Sequence, residues 1–230
     1  MERGGGEGAG GHGRRAGRLA RRSPLRGTAE LGQTSGMQAR HRGFDGLIFD
    51  MDGTLTHPTI DFAAMRRDLG SPEGDIAHYV LSLPPAEREQ AWEVIEAYEA
   101  RALENQRLQP GAAALLADCR AAGMKLGVVT RNVARSVEVL CRTYGLTFDA
   151  VVTREFPHIK PHPGPILHIL AQWGLGANRA LMVGDYVHDI ECGRAAGTAT
   201  CFFQNPGHVF HGREADYTVA SFDELRAIVL

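Results

Sequence analysis

The sequence predicts an α/β fold: a doubly wound, Rossmann-like parallel sheet with a small α-helical cap inserted after the first strand. Three observations carry that expectation. Short apolar runs alternate with helical stretches through residues 44–230. Polar residues able to do chemistry stand at the carboxyl ends of several of those runs. One segment, 59–108, interrupts the alternation with helix-forming sequence alone. Alternation of this kind means right-handed βαβ units and a parallel sheet covered on both faces. Ligands then bind outside the carboxyl ends of the strands.

The first strand is Gly46-Leu47-Ile48-Phe49, ended by Asp50. The cap segment holds a helix at 62–69, stopped by Gly70, and a strongly helical stretch at 86–104 introduced by Pro84-Pro85. Trp92, Ile95 and Tyr98 recur there at helical spacing, a pattern that helix packing explains better than a cofactor box. Beyond the cap come a helix at 111–123, a strand at 125–130, a helix at 134–144 and a strand at 150–153. A helix at 165–173, a strand at 181–185, a short helix at 190–196 and a strand at 198–203 follow. Tyr217-Thr218-Val219 closes the sheet before a last helix from Phe222. The organisation expected is a leader at 1–43, a core from 44–58 and 109–230, and a cap at 59–108. Hinges for that cap are expected at 57–60 and 109–111, where Pro and Gly punctuate.

Charge is unevenly spread. Residues 1–43 carry nine Arg, no Lys, three Glu and twelve Gly; taking these from the chain's 25 basic and 27 acidic residues leaves 16 and 24. An acidic body argues against a nucleic-acid surface, which needs Lys and Arg against phosphate. The leader is too poor in bulky apolar residues to build a core, so disorder is expected there. It reads as a transit peptide, a nucleic-acid-binding arm, or an upstream extension of a chain whose start is Met37. No apolar stretch suits a signal peptide or a spanning helix. Cys119, Cys141, Cys192 and Cys201 show no metal-ligand spacing, and small buried residues in a reducing compartment explain them. The expected location is cytoplasmic, or a plastid or mitochondrion if the leader is a transit peptide.

Four pieces of chemistry arrive in order, each at or just after a strand. Asp50-Met51-Asp52-Gly53-Thr54 brings two acids to a strand end, where Gly53 permits an abrupt turn. One can attack phosphorus or bind Mg2+ while the other shuttles a proton, though a lone pair of this kind is commonly a solvated turn. Thr130, followed by Arg131 and Asn132, offers a hydroxyl and backbone N–H groups for phosphate oxygens, or a simple helix cap. Lys160, in His158-Ile159-Lys160-Pro161, is one of two lysines against 23 arginines, so an ammonium there is a chemical choice as much as a surface residue. Gly184-Asp185-Tyr186-Val187-His188-Asp189 places two acids four apart, suited to Mg2+, with Asp189 also able to cap the helix that follows.

The motifs DMDGT, VVTRN, HIKPHP and GDYVHD resemble the four signature motifs of the haloacid dehalogenase-like hydrolase superfamily, over residues 44–225. The resemblance implies Asp50 as a nucleophile forming an aspartyl-phosphate and Asp52 as acid and base. It also implies Thr130 and Lys160 as phosphoryl-positioning groups, and Gly53, Thr54, Arg131 and Asn132 at the substrate. Mg2+ would be held by Asp50, the Asp52 carbonyl and Asp185, with Asp189 in support. The short helical insert is similar to the caps of phosphoglycolate phosphatases, and the acid at Asp52 points to phosphoryl transfer rather than dehalogenation. Arg131 could take a substrate carboxylate bidentately, which suits a small phosphorylated acid such as 2-phosphoglycolate. The expected partner is therefore a small phosphorylated metabolite, with no membrane or nucleic acid. Competing readings are a sugar phosphomutase of the same superfamily, a non-catalytic phosphate-binding or receiver-like protein, and a nucleic-acid-associated protein acting through the leader.

Overall fold

The computed structural model describes residues 43–72, 74–206 and 215–230. The leader expected at 1–43 lies, apart from Gly43, outside the described residues. Strands β1 (Gly46–Phe49), β2 (Lys125–Val129), β3 (Ala150–Val152), β4 (Ala180–Gly184), β5 (Ala199–Phe203) and β6 (Tyr217–Val219) form one parallel sheet in the order β3-β2-β1-β4-β5-β6. From β1 the chain moves outward to β3, then returns beside β1 with β4 and moves out the other way. That reversal puts the topological switch point between β1 and β4, where a parallel sheet opens a crevice at its carboxyl edge.

Side chains alternate along each strand, and the two faces build separate cores. Leu47 and Phe49 join Leu126, Val128, Leu181 and Val183 under helices α4 (Ala112–Ala121), α5 (Ala134–Tyr144) and α8 (Phe222–Val229). Ile48, Val129, Val152 and Met182 pack against α6 (Gly164–Trp173) and α7 (Val187–Ala196). On this second face Gly46 and Gly127 lie under one indole. A Cβ on Gly46 would come 2.7 Å from Trp173 Cζ3, and one on Gly127 would come 2.9 Å from Trp173 Cζ2. Glycine at both positions is what lets the ring approach the sheet.

Between β1 and α4 stand three helices, α1 (Phe62–Leu69), α2 (Ile76–Ser82) and α3 (Pro85–Glu104). They share a small core of Met65, Ile76, Val80, Ala91 and Ile95, against which Trp92 and Tyr98 pack. The sequence suggested two helices here; α2 is the addition. Asp75 starts it by accepting from His78 N at 3.1 Å, a cap that the adjacent Gly-rich stretch obscured. Helix α7 likewise begins at Val187, three residues earlier than expected, because Asp189 accepts from Tyr186 N at 3.0 Å and satisfies the first turn. The chain enters and leaves the three-helix cluster side by side. Gln109 N donates to Leu55 O and His57 N to Arg107 O, each at 2.9 Å. No helix among the described residues is long and apolar enough to cross a membrane. Cys119, Cys192 and Cys201 are buried free thiols and Cys141 is partly exposed; burial pushes the first three up to about 12, so they are not reactive thiolates.

Candidate active site

The end of β1 is tied to its neighbour by Asp50 N donating to Val183 O at 2.9 Å. The chain then turns sharply, with Gly53 at φ +82°. A side chain there would bring Cβ to 2.1 Å from Asp185 Oδ2, so only glycine fits. This turn leaves Asp50 at the switch point beside Asp185 and carries Asp52 toward Thr56 and Asn132. Thr54 Oγ1 donates to Asp185 Oδ1 at 3.3 Å, joining the turn to the end of β4.

Lys160 binds the group together from the loop after β3. It is 4% exposed, and its Nζ donates to Asp50 Oδ1 and, at 2.7 Å, to Asp189 Oδ1. Burial alone would depress the lysine, but the Asp189 and Asp50 carboxylates outweigh it and hold the ammonium charged, above its ordinary range. For the acids burial wins. It raises Asp50 to about 7 against the opposing pull of Lys160, and raises Asp185 to about 8 with further repulsion from Asp50 and Asp189. One ligand oxygen from each of Asp50, Asp185 and Asp189 lies within 4.8 Å of the others. Three crowded carboxyls with one ammonium fit a hard dication that takes oxygen ligands.

Asp52 sits apart from that cluster. Its Oδ1 accepts from Thr56 Oγ1 at 3.2 Å and its Oδ2 from Asn132 Nδ2. Burial raises its pKa despite these two bonds, which suits a carboxyl that gives up a proton in the reaction. Thr130, just past β2, is buried and its Oγ1 accepts from Asn132 N at 3.1 Å; its own proton has no acceptor among the described residues. The structure therefore gathers Asp50, Asp52, Gly53, Thr54, Thr130, Asn132, Lys160, Asp185 and Asp189 along one edge of the sheet. Arg131 is differently engaged. Its guanidinium grips Asp75 with two bonds of 2.9 Å and lies 3.0 Å from His188 Nδ1, tying the core to α2.

Several residues of the site carry no motif. Asn205, beyond β5, donates to Gly53 O at 2.6 Å and to Asp185 Oδ2 at 3.2 Å, and accepts from Gln109 Nε2 at 2.8 Å. This buried amide pair braces the turn from behind. From α3, Glu99 accepts from Arg154 Nη1 at 2.8 Å, and the Arg154 guanidinium lies 5.2 Å over the Trp92 ring. Burial lifts Glu99 to about 7 despite Arg154. Position at the carboxyl end of β5 is the one signal that could have marked Asn205; nothing local marks Gln109 or Glu99.

Comparison with known proteins agrees with this geometry. The model of the family described as haloacid dehalogenase-like hydrolase matches residues 66–203. A haloacid dehalogenase-like hydrolase domain-containing protein of Arabidopsis thaliana is 36% identical over 203 residues, covering 80% of this chain and 83% of its own. The N-acetylmuramic acid 6-phosphate phosphatase of Pseudomonas aeruginosa is 33% identical over 178 residues, covering 67% of this chain and 79% of its own. A crystal structure of a predicted phosphoglycolate phosphatase from Haemophilus somnus has the same fold, with a TM-score of 0.64 at 22% identity over 80% of this chain and 97% of that one. Sequence, sheet order and the residues at its carboxyl edge thus agree that this chain is an enzyme of the haloacid dehalogenase-like hydrolase family, related to its phosphatases.

Proposed function

We propose that the chain is a Mg2+-dependent phosphatase that hydrolyses a small phosphate monoester through an aspartyl-phosphate on Asp50. The observation that carries the reading is Lys160, buried and bonded to both Asp50 and Asp189. An ammonium so placed offsets the charge of an attacking carboxylate and of the phosphoryl group it approaches. Asp50 forms a bond to phosphorus as the ester oxygen departs, and Asp52 donates its proton to that oxygen. Asp52, now ionised, takes a proton from water as the water oxygen attacks phosphorus; Asp50 is released and inorganic phosphate leaves. The Thr130 hydroxyl and the Arg131 backbone N–H hold phosphoryl oxygens. Asn132 and Thr56 keep the Asp52 carboxyl aimed. Asp50, Asp185 and Asp189, with the Asp52 carbonyl, are the groups that would hold Mg2+. When bound, the ion supplies charge stabilisation at the phosphoryl oxygens. Helices α1–α3 exclude water, on which phosphoryl transfer depends for its electrostatics.

Asp50→Asn is expected to lower kcat on p-nitrophenyl phosphate by at least ~10^3-fold with circular dichroism unchanged, since the attacking carboxylate is lost while Asp52 is left with no covalent step to assist. Chelation with EDTA should abolish turnover and added Mg2+ restore it. Undiminished turnover by the Asn variant, or by metal-free enzyme, contradicts the reading. An acid such as phosphoglycolate would have to compete with Asp75 for Arg131.

A further inference from the structure

Each oxygen of the Asp52 carboxyl has a holder of its own. Thr56 Oγ1, four residues on in the same turn, donates to Oδ1 at 3.2 Å, and Asn132 Nδ2 donates to Oδ2. Thr56 is fixed locally: it is fully buried, and its N donates to Met51 O at 2.9 Å. Asn132 lies on the loop between β2 and α5, and its place depends on what grips that loop.

The three-helix cap grips it at two points. Arg131, the residue before Asn132, is bound bidentately by Asp75 at the start of α2. The Asn132 carbonyl itself accepts from Arg154 N, on the loop that follows β3, at 2.9 Å. Arg154 in turn reaches into the cap. Its Nη1 donates to Glu99 Oε1 at 2.8 Å, and its guanidinium lies 5.2 Å over the ring of Trp92, both residues of α3. The pair is well shielded, with side-chain exposures of 20% for Arg154 and 11% for Glu99. Losing one partner of such a pair strands the other charge.

We propose that Glu99 is a positioning residue for the proton transfer: through Arg154 and Asn132 it aims the Asp52 carboxyl at the leaving oxygen. This inference rests on the phosphatase reading above. With the Glu99 carboxylate in place, Arg154 is held between α3 and the Asn132 carbonyl, and the Asn132 amide is presented to Asp52. With the carboxylate gone, the guanidinium turns to solvent and Asn132 loses its support on the carbonyl side. Asp52 Oδ2 then loses its fixed donor while Oδ1 stays on Thr56. Asp50, Lys160 and Asp189 form their own bonded group, so phosphorus is still attacked. The step that suffers is protonation of the departing oxygen, where an error of about 1 Å in placement can cost ~10^2-fold.

Leaving-group basicity separates this from a merely structural role. p-Nitrophenolate departs readily without a proton, whereas the more basic phenolate depends on one. The comparison is made in kcat/KM with Mg2+ at constant pH, which reads the steps up to departure of the leaving group. Glu99→Ala should lower it about tenfold or more on phenyl phosphate and no more than about threefold on p-nitrophenyl phosphate. Glu99→Gln, which keeps a neutral acceptor for Arg154, should fall between the Ala variant and the unaltered enzyme on phenyl phosphate. Asn132→Ala should show the same split, and Glu99→Ala/Asn132→Ala should be no worse than Asn132→Ala, since the two act in series. Equal losses on both esters, no loss on either, or losses that multiply in the double variant overturn the proposal. If Glu99→Ala does not fold, Arg154→Met breaks the same bond from the core side and is held to the same split; failure of both to fold makes the pair a structural tie and overturns the proposal as well. Use of p-nitrophenyl phosphate by the unaltered enzyme with silence on phenyl phosphate would mean that no proton reaches the leaving oxygen, and overturns this inference alone. Silence on both esters overturns the phosphatase reading, and this inference with it.

Discussion

Arg131 and Asp75 show how much one pair of side chains can decide. The two bonds of 2.9 Å join a residue beside Thr130 to the cap of α2, and a bidentate guanidinium–carboxylate pair of this geometry is among the stronger surface contacts. Burial tends to raise the Asp75 carboxyl, but Arg131 outweighs it and holds the group down at about 2. The folded value lies below the unfolded one of 3.8, so the contribution is complete above pH 3.8 and is lost as pH falls toward 2. Asp75→Asn should therefore flatten the acid limb of a stability-against-pH curve over that window and speed amide exchange in α2; an unchanged acid limb would show that the pair contributes nothing. The residues gathered at the candidate site could be picked out in sequence because the proposed reaction dictates both their types and their places. An acid at the end of β1, a scarce lysine after β3 and an acid at the end of β4 have few substitutes. Asp75, Asn205, Gln109 and Glu99 could not be read that way, because their roles come from neighbours far along the chain. Asn205 and Gln109 are 96 residues apart, and a Gln before a Pro has no local signature.

Among the elements, the sheet was the part most open to reading, since period-two apolar runs between helices admit few arrangements. Helix α2 was not. It is seven residues long, too short for periodicity to speak, and its start depends on the single cap Asp75. The packing of α6 on the sheet was equally hidden: two glycines in β1 and β2 look like weak strand residues until Trp173 is seen to cover both. Gly127→Ala places a methyl 2.9 Å from the ring, and overpacking of this sort costs about 1–3 kcal/mol. Denaturant melts should show that loss, with much of it recovered in Gly127→Ala/Trp173→Phe, where the smaller ring makes room. Loss undiminished in the double variant would mean the backbone, not the indole, objects.

For the molecule as a whole, every side chain placed in the site lies between Asp50 and Asn205. A protein starting at Met37 is therefore expected to keep kcat/KM within about twofold, as compact domains generally carry their own activity; a larger fall would give the preceding residues a part in catalysis. The three-helix cluster meets the sheet through Asp75–Arg131 and Glu99–Arg154 and through the paired segments at its base, where the hinges were expected at 57–60 and 109–111. Main-chain bonds at Leu55–Gln109 and His57–Arg107 stitch those segments into one ribbon. A cap carried on a single ribbon is expected to swing like a page about its binding. Gln109, in that binding, reaches through Asn205 to Asp185, so on the proposed function movement of the page and grip on Mg2+ would share a mechanical linkage. Gln109→Leu should consequently weaken Mg2+ binding measured by calorimetry about threefold or more, by leaving Asn205 without its donor; an unaltered affinity would mean that lid and cation act independently.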